Sequence, residues 1–251
     1  MRTRKIHALV QLGDLVDHES ISRFVRESPK KQLGDLAEEW DLARGVMTKL
    51  VRAARLKNPD CLYYQLEGNH ETRIKHLEDR YPFLRGLLTM ETRLGVKAND
   101  GTWVASDSEA EILRFEWTKR GKIVPTIYQI DETIEVFRHG VSFIHGWRYS
   151  THNAKAHADL SPWVGPIIYG HVHTDQRFTG DQWGLDKPVG ISVGWLGKGI
   201  PEYAKRAKAN RWAAGFGIVT LDPGTIGSWD VQVPKIRNGS LILDGRVFRV
   251  A

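Results

Sequence analysis

Cysteine is almost missing from this sequence: Cys61 is the only one in 251 residues. A lone thiol closes no internal disulfide, so the fold must rest on its core, and a reducing compartment is the simpler reading. Cys61 opens an apolar run, which marks it as a small buried residue and not as a nucleophile. Long apolar runs are lacking as well. The basic start Met1-Arg2-Thr3-Arg4-Lys5 leads into a short apolar stretch that ends at Gly13-Asp14. That stretch is too short for a secretory signal, and no small-residue cleavage site follows it. No run approaches the roughly 20 residues that cross a bilayer. The expectation is a cytoplasmic protein with no membrane partner. Internal repeats, low-complexity segments and Pro- or Ser-rich linkers are also absent, so one domain over residues 1–251 is the simplest organisation.

The residues present are those of an ordinary globular chain. Hydrophobic residues make up 41% and charged residues 26%, enough to bury a sizeable core. Nine Trp supply large rings for filling space between sheets and helices. The net charge of +6 favours anionic partners, nucleic acid among them, without specifying one.

Hydrophobic periodicity predicts a strand over Ile6–Leu12. A long amphipathic helix over about 32–57 follows, carried by Leu33, Leu36, Trp40, Met47 and Leu50, with Ala43 and Ala54 on the same face. Asn58-Pro59-Asp60 stops it, and a second strand is expected over Cys61–Leu66. Residues 72–98 read as helical, and Ser108-x-x-Glu111 reads as a capping box opening a helix to about Lys119. Short strands are expected over 134–138, 141–145, 165–169, 189–194, 215–221, 228–233 and 241–249. Strand–helix–strand at the start implies an α/β fold, whose ligands collect at the C-terminal ends of strands.

Four polar segments follow apolar strands: Gly13-Asp14-Leu15-Val16-Asp17, Gly68-Asn69-His70-Glu71, His145-Gly146 and Gly170-His171-Val172-His173. Carboxylate, amide and imidazole donors without thiolate suit Mn, Fe, Zn or Ni better than a closed structural zinc site. Two adjacent cations would acidify a bridging water and neutralise charge in a phosphoryl displacement. Each segment alone is weak, since a Gly-Asp is usually a turn and a His-x-His usually lies on a surface or in a core. Together, in this order at strand ends, they point to a metal centre.

In order and spacing these segments resemble the calcineurin-like metallophosphoesterase superfamily over about residues 6–175. Gly-Asp-Leu-Val-Asp, Leu-Glu-Gly-Asn-His-Glu, His-Gly-Trp-Arg and Tyr-Gly-His-Val-His are most similar to its phage and prophage members. The tail segments Val193–Leu196 and Trp212–Phe216 resemble that group more loosely. The resemblance implies a four-layer α-β-β-α sandwich of two mixed sheets flanked by helices, with catalytic loops within 13–173 and strands over 189–251 completing the second sheet. It implies two divalent cations in an intact site. Asp14 would bridge them, Asn69, His145 and His171 would complete one site, and His173 would serve the other. His70 would protonate the leaving oxygen with Asp17 orienting it, and Arg148 would pair with phosphate, although a plain surface arginine is an equal reading. A bacterial or phage-infected host cell would be the setting.

The family opens on an Asp-x-His segment that this sequence lacks, because Met1–Leu12 contain no acidic residue and His7 sits too early on its strand. Truncation with the first strand missing, function with one tight metal, and a non-catalytic relative are the three readings, of which truncation is preferred here. Gly-Asp-Leu-Val-Asp-His-Glu departs from the Asp-Arg-Gly continuation of the protein phosphatases. Gly-Asn-His-Glu departs from the Gly-Asn-His-Asp of the repair nucleases. The expected activity is hydrolysis of a phosphate mono- or diester, with a DNA or RNA nuclease and a one-metal scaffold as alternatives. Lys198, Lys205, Arg206, Lys208 and Arg211, interleaved with Trp195, Tyr203 and Trp212, are the candidate nucleic-acid patch, or else a solvated helix face. His18 is expected as an exposed loop residue, with replacement of a lost ligand as its alternative, His152 and His157 as helix-surface residues, and Glu71 and Arg73 as caps or braces for the helix after the Gly-Asn-His loop.

Overall fold

The computed structural model describes residues 5–22, 29–89, 92–93, 102–104, 111–118, 120, 122–129, 140–159, 165–180, 187–197 and 212–249. The chain divides into two compact units, Met1–Glu111 and Ile112–Ala251. It is mixed α/β. Among the described residues no helix is long and apolar enough to cross a membrane.

The first unit is built on a strand–helix–strand motif. Strand β1 (Ala8–Gln11) leads, through a short 3-10 turn at Glu19–Ile21, to helix α1 (Pro29–Arg55), and strand β2 (Leu62–Leu66) returns parallel to β1. Strand β3 (Thr102–Val104) pairs parallel to β2, giving the order β1-β2-β3. The helix forms because its apolar residues return once per turn. Leu36, Ala43, Met47 and Ala54 are buried, while Gly34 and Gly45 face open space. Ala43 and Met47 pack with Val16 and Tyr63, and Leu36 packs with Ile74 and Leu77 of helix α2 (Arg73–Arg80). Leu50, expected on the buried stripe, is exposed. After the helix, Asn58 donates its side-chain amide to the Ile6 carbonyl at 2.9 Å, tying the loop back to the start of the sheet. Cys61 is buried, as its place in an apolar run implied.

The expected helix over 72–98 is realised as α2 and a 3-10 turn at Pro82–Leu84, where proline ends α2 although Tyr81, Leu84 and Leu88 still pack on the same core cluster. Residues 90–91 and 94–98 lie outside the described residues.

The second unit centres on a mixed six-stranded sheet. Its strands are β4 (Glu111–Trp117), β5 (Ile123–Gln129), β6 (Gly140–Ile144), β7 (Ile167–Tyr169), β8 (Asp175–Thr179) and β9 (Val189–Val193), in the order β5-β4-β6-β7-β9-β8. The central strands β6, β7 and β9 run parallel and are buried along their whole length, which is why their sequences are continuous apolar or small-residue runs. Helix α3 (Asn153–Ala158) covers β8 and β9. Ile112, Ile144, Ala154, Ile167, Tyr169 and Val172 form one core cluster, with Phe178 packed on it.

Glu111–Trp117 corrects the reading of a capped helix. Ile112 to Phe115 are all buried, and Leu113 to Glu116 pair antiparallel with β6, so burial on both faces outweighed the local capping signal. Arg114 and Glu116, two residues apart on one strand face, form an ion pair at 2.9 Å. Ser108 and the strand expected over 134–138 lie outside the described residues. Of the strands expected over 189–251, β9 lies in the large sheet. The later ones pair among themselves: β10 (Ile218–Leu221) with β11 (Trp229–Gln232), and β12 (Ile236–Arg237) with β13 (Ser240–Leu243) and β14 (Arg246–Arg249). The single strand expected over 241–249 is a hairpin, turned by Asp244-Gly245 with both residues at positive φ.

Candidate functional site

In the first unit, β1 and β2 are parallel neighbours with Gln11 opposite Gln65, so the loops that follow them emerge at the same sheet edge. Asp14 takes a φ of 55° directly after Gly13 at 90°, folding the loop back sharply. The two loops are stitched together through the Glu71 carboxylate, which is buried. It accepts the backbone N–H groups of Asp14 at 2.9 Å, Gly68 at 2.7 Å and Val16 at 3.1 Å. The Asp14 carboxylate in turn accepts the His70 N–H at 3.0 Å. Glu71, expected to cap or brace the helix after Gly-Asn-His, instead braces the two loops, and it does so across 57 residues of sequence.

His70 and Asp17 are brought together as an ion pair through His70 Nδ1. Burial alone would lower the His70 pKa, but the hydrogen bond to Asp17 and the Asp14 charge outweigh it and raise it. Burial alone would raise Asp17, yet the bond and charge of His70, with Arg73, hold it below the usual carboxylate value. Arg73 donates to the Asp17 carbonyl at 2.8 Å and so closes the loop from below. Asn69 is exposed in the turn between β2 and α2, and its carbonyl accepts the Thr72 hydroxyl at 2.8 Å.

His18 contradicts the expectation of an exposed residue: it is fully buried. Its Nε2 accepts the Trp40 indole N–H at 3.1 Å, which leaves the proton on Nδ1 to be donated to the His70 carbonyl at 2.9 Å. Burial pushes its pKa down to about 4. The ring is thus a neutral strut between α1 and the His70 loop. Only the presence of a Trp on the facing helix stripe could have signalled it.

In the second unit the parallel strands β6, β7 and β9 again end at one edge. His145 follows β6, His171 and His173 follow β7, and Gly194-Trp195 follows β9. His145 is buried, and its Nε2 lies 3.1 Å from His171 Nδ1. Two nitrogens held about 2.0–2.1 Å from one cation at 90–109° would be separated by roughly 2.8–3.4 Å, so the spacing suits a shared metal as well as a shared proton. His171 and His173 both have positive φ, which turns their side chains out of the strand alternation. His173 stacks on Trp195, with ring centres 5.4 Å apart, and meets the edge of Trp212 at 4.4 Å. Arg148 is exposed.

His157 is a second correction. It is fully buried within α3 and stacks on Tyr169 with centres 4.0 Å apart and planes 16° from parallel. Its Nδ1–H donates to the Asn153 carbonyl at 2.8 Å, and its Nε2 accepts the Trp147 backbone N–H at 3.3 Å. Burial lowers its pKa, so the neutral ring braces the loop that carries His145. Gly146 has a φ of 99°, which strains any L side chain, and a Cβ there would lie a tight 3.1 Å from His157 Nε2. Trp195 and Trp212, counted in the basic patch, pack on His173, and residues 198–211 of that patch lie outside the described residues.

The donor set is oxygen and nitrogen only. Asp14 offers a carboxylate oxygen, and His145 and His171 a ring nitrogen each. Comparison with family models, with curated proteins and with solved structures gave no match.

Proposed function

We propose that this chain is a metal-dependent phosphoesterase, with the four-layer α-β-β-α sandwich of the calcineurin-like superfamily as its full fold and one catalytic domain over 1–251. The observation that carries the reading is the His145–His171 pair, two ring nitrogens 3.1 Å apart on the loops of neighbouring parallel strands. The Asp14, Asp17 and His70 constellation of the first unit supports it, because its backbone is locked by a buried carboxylate and its histidine is ion-paired.

In this reading Asp14 and Asn69 of the first unit and His145 and His171 of the second would be the ligands of one divalent cation, of Mn, Fe, Zn or Ni type, and His173 would serve a second. A bound cation would supply an acidified water and neutralise charge on the phosphoryl oxygens. Asp17 fixes the His70 ring through Nδ1, so that Nε2 delivers the proton to the departing oxygen. Arg148 pairs with the phosphate as the second charge partner. The net charge of +6 supports an anionic substrate and keeps a nuclease within the same chemistry. A one-metal scaffold is the second reading, favoured by the packing of His173 against two indoles, the face of Trp195 and the edge of Trp212.

The test is turnover of an aryl phosphate monoester and diester by Mn-supplemented protein. Asp14→Asn and His70→Ala should each lower the rate by about 10²–10⁴-fold. Undiminished turnover in both variants would refute the assignment, and absence of turnover in a wild-type protein that binds the cation would favour the scaffold.

A further inference from the structure

The run Trp147-Arg148-Tyr149 begins two residues after His145 and is exposed throughout. Trp147 is 42% exposed and Tyr149 69%, so both rings can be reached from solvent. Trp147 is nevertheless held in place. Its backbone N–H is bonded to His157 Nε2 at 3.3 Å, and its indole leans on the His157 ring, with centres 4.6 Å apart and planes tilted by 56°. His157 is itself stacked on the buried Tyr169. Three rings therefore run from the sheet to the surface, anchored at the inner end by the Tyr169 hydroxyl on Asn153. The column fixes one side of Trp147 and leaves the other to solvent.

We propose that Trp147 is a stacking platform for the planar ring of the substrate, and that the substrate class is a nucleoside phosphate, with Arg148 beside the platform taking its charge. The proposal deepens the phosphoesterase reading and rests on it for the placement of the phosphate near His145. A flat aromatic base suits an anchored indole, because stacking needs no hydrogen-bond donors and costs little when the platform is already ordered. An aliphatic ester would leave both exposed rings uncovered, whereas the guanidinium of Arg148, next to Trp147 in sequence, matches a phosphate.

The experiment measures binding of a nucleoside 5′-monophosphate and of ribose 5-phosphate to the full chain in the presence of Mn, by titration calorimetry. Wild-type protein should prefer the nucleotide. Trp147→Ala should weaken the nucleotide about 5- to 150-fold while leaving ribose 5-phosphate unchanged, and Trp147→Phe should restore most of the preference. Equal affinity of wild-type protein for the two probes, or an unchanged preference in Trp147→Ala, would overturn the platform while leaving the metal reading intact. Binding of neither probe would overturn both.

Discussion

His18 shows how a single side chain can carry more of a loop than its neighbours suggest. Beside Asp17 in a polar segment, it reads as solvent-facing, yet the fold closes over it and supplies a Trp40 N–H to one nitrogen and the His70 carbonyl to the other. A proton added to this ring would have to face burial and the positive Arg73 and Arg93. The sign of the linkage follows. The folded pKa of about 4 lies below the ordinary value of 6.5, so the unfolded chain binds the extra proton first. The contribution is complete above pH 6.5 and is lost as pH falls towards 4, amounting to up to about 3 kcal/mol. Urea unfolding across that window should show a steeper loss of stability in wild-type protein than in His18→Gln. Parallel pH profiles would contradict it. Sequence patterns missed His18 and His157 for the same reason: each is satisfied by a partner from another element, and hydropathy does not register such a partner. Glu71 was expected to cap or brace the following helix, whereas its carboxylate holds the N–H groups of Asp14, Val16 and Gly68, partners that lie mostly on another loop.

At the scale of elements, α1, β1, β2, β6, β7 and β9 were legible because their apolar periods are clean and their ends are marked by Gly, Asn or Pro. Segment Glu111–Trp117 was not, since Ser-x-x-Glu before an apolar run is the local signature of a helix start, and only pairing with β6 decides for strand. The β13–β14 hairpin was missed although Asp244-Gly245 is a strong turn dipeptide, because apolar alternation continues on both sides of it. The contact of α3 with the sheet depends on a glycine. A Cβ at Gly190 of β9 would press on the Ala154 carbonyl oxygen and lie 3.1 Å from the Ala158 nitrogen, both backbone atoms that move only with the helix. Gly190→Ala should therefore destabilise the protein by about 1–3 kcal/mol, despite the better strand propensity of alanine. A thermal midpoint equal to that of the wild type would show that α3 is not seated on β9 as described.

Across the whole molecule, the chemistry-bearing residues are divided between two units, each of which delivers its own at the C-terminal edge of parallel strands. Sequence order was enough to locate these loops, since apolar strands ending in Gly, Asp or His are visible without a fold. It was not enough to find the struts beneath them, nor the aromatic column that reaches Trp147. The reading turns on whether His145 and His171 direct their nitrogens at a cation or merely share a proton. Titration of metal-free protein with Mn by calorimetry distinguishes the two most directly. Saturable binding that weakens by at least about 10- to 100-fold in His171→Ala, with the fold retained, is the predicted result. No saturable binding in the wild type, or the same affinity in the variant, would contradict it.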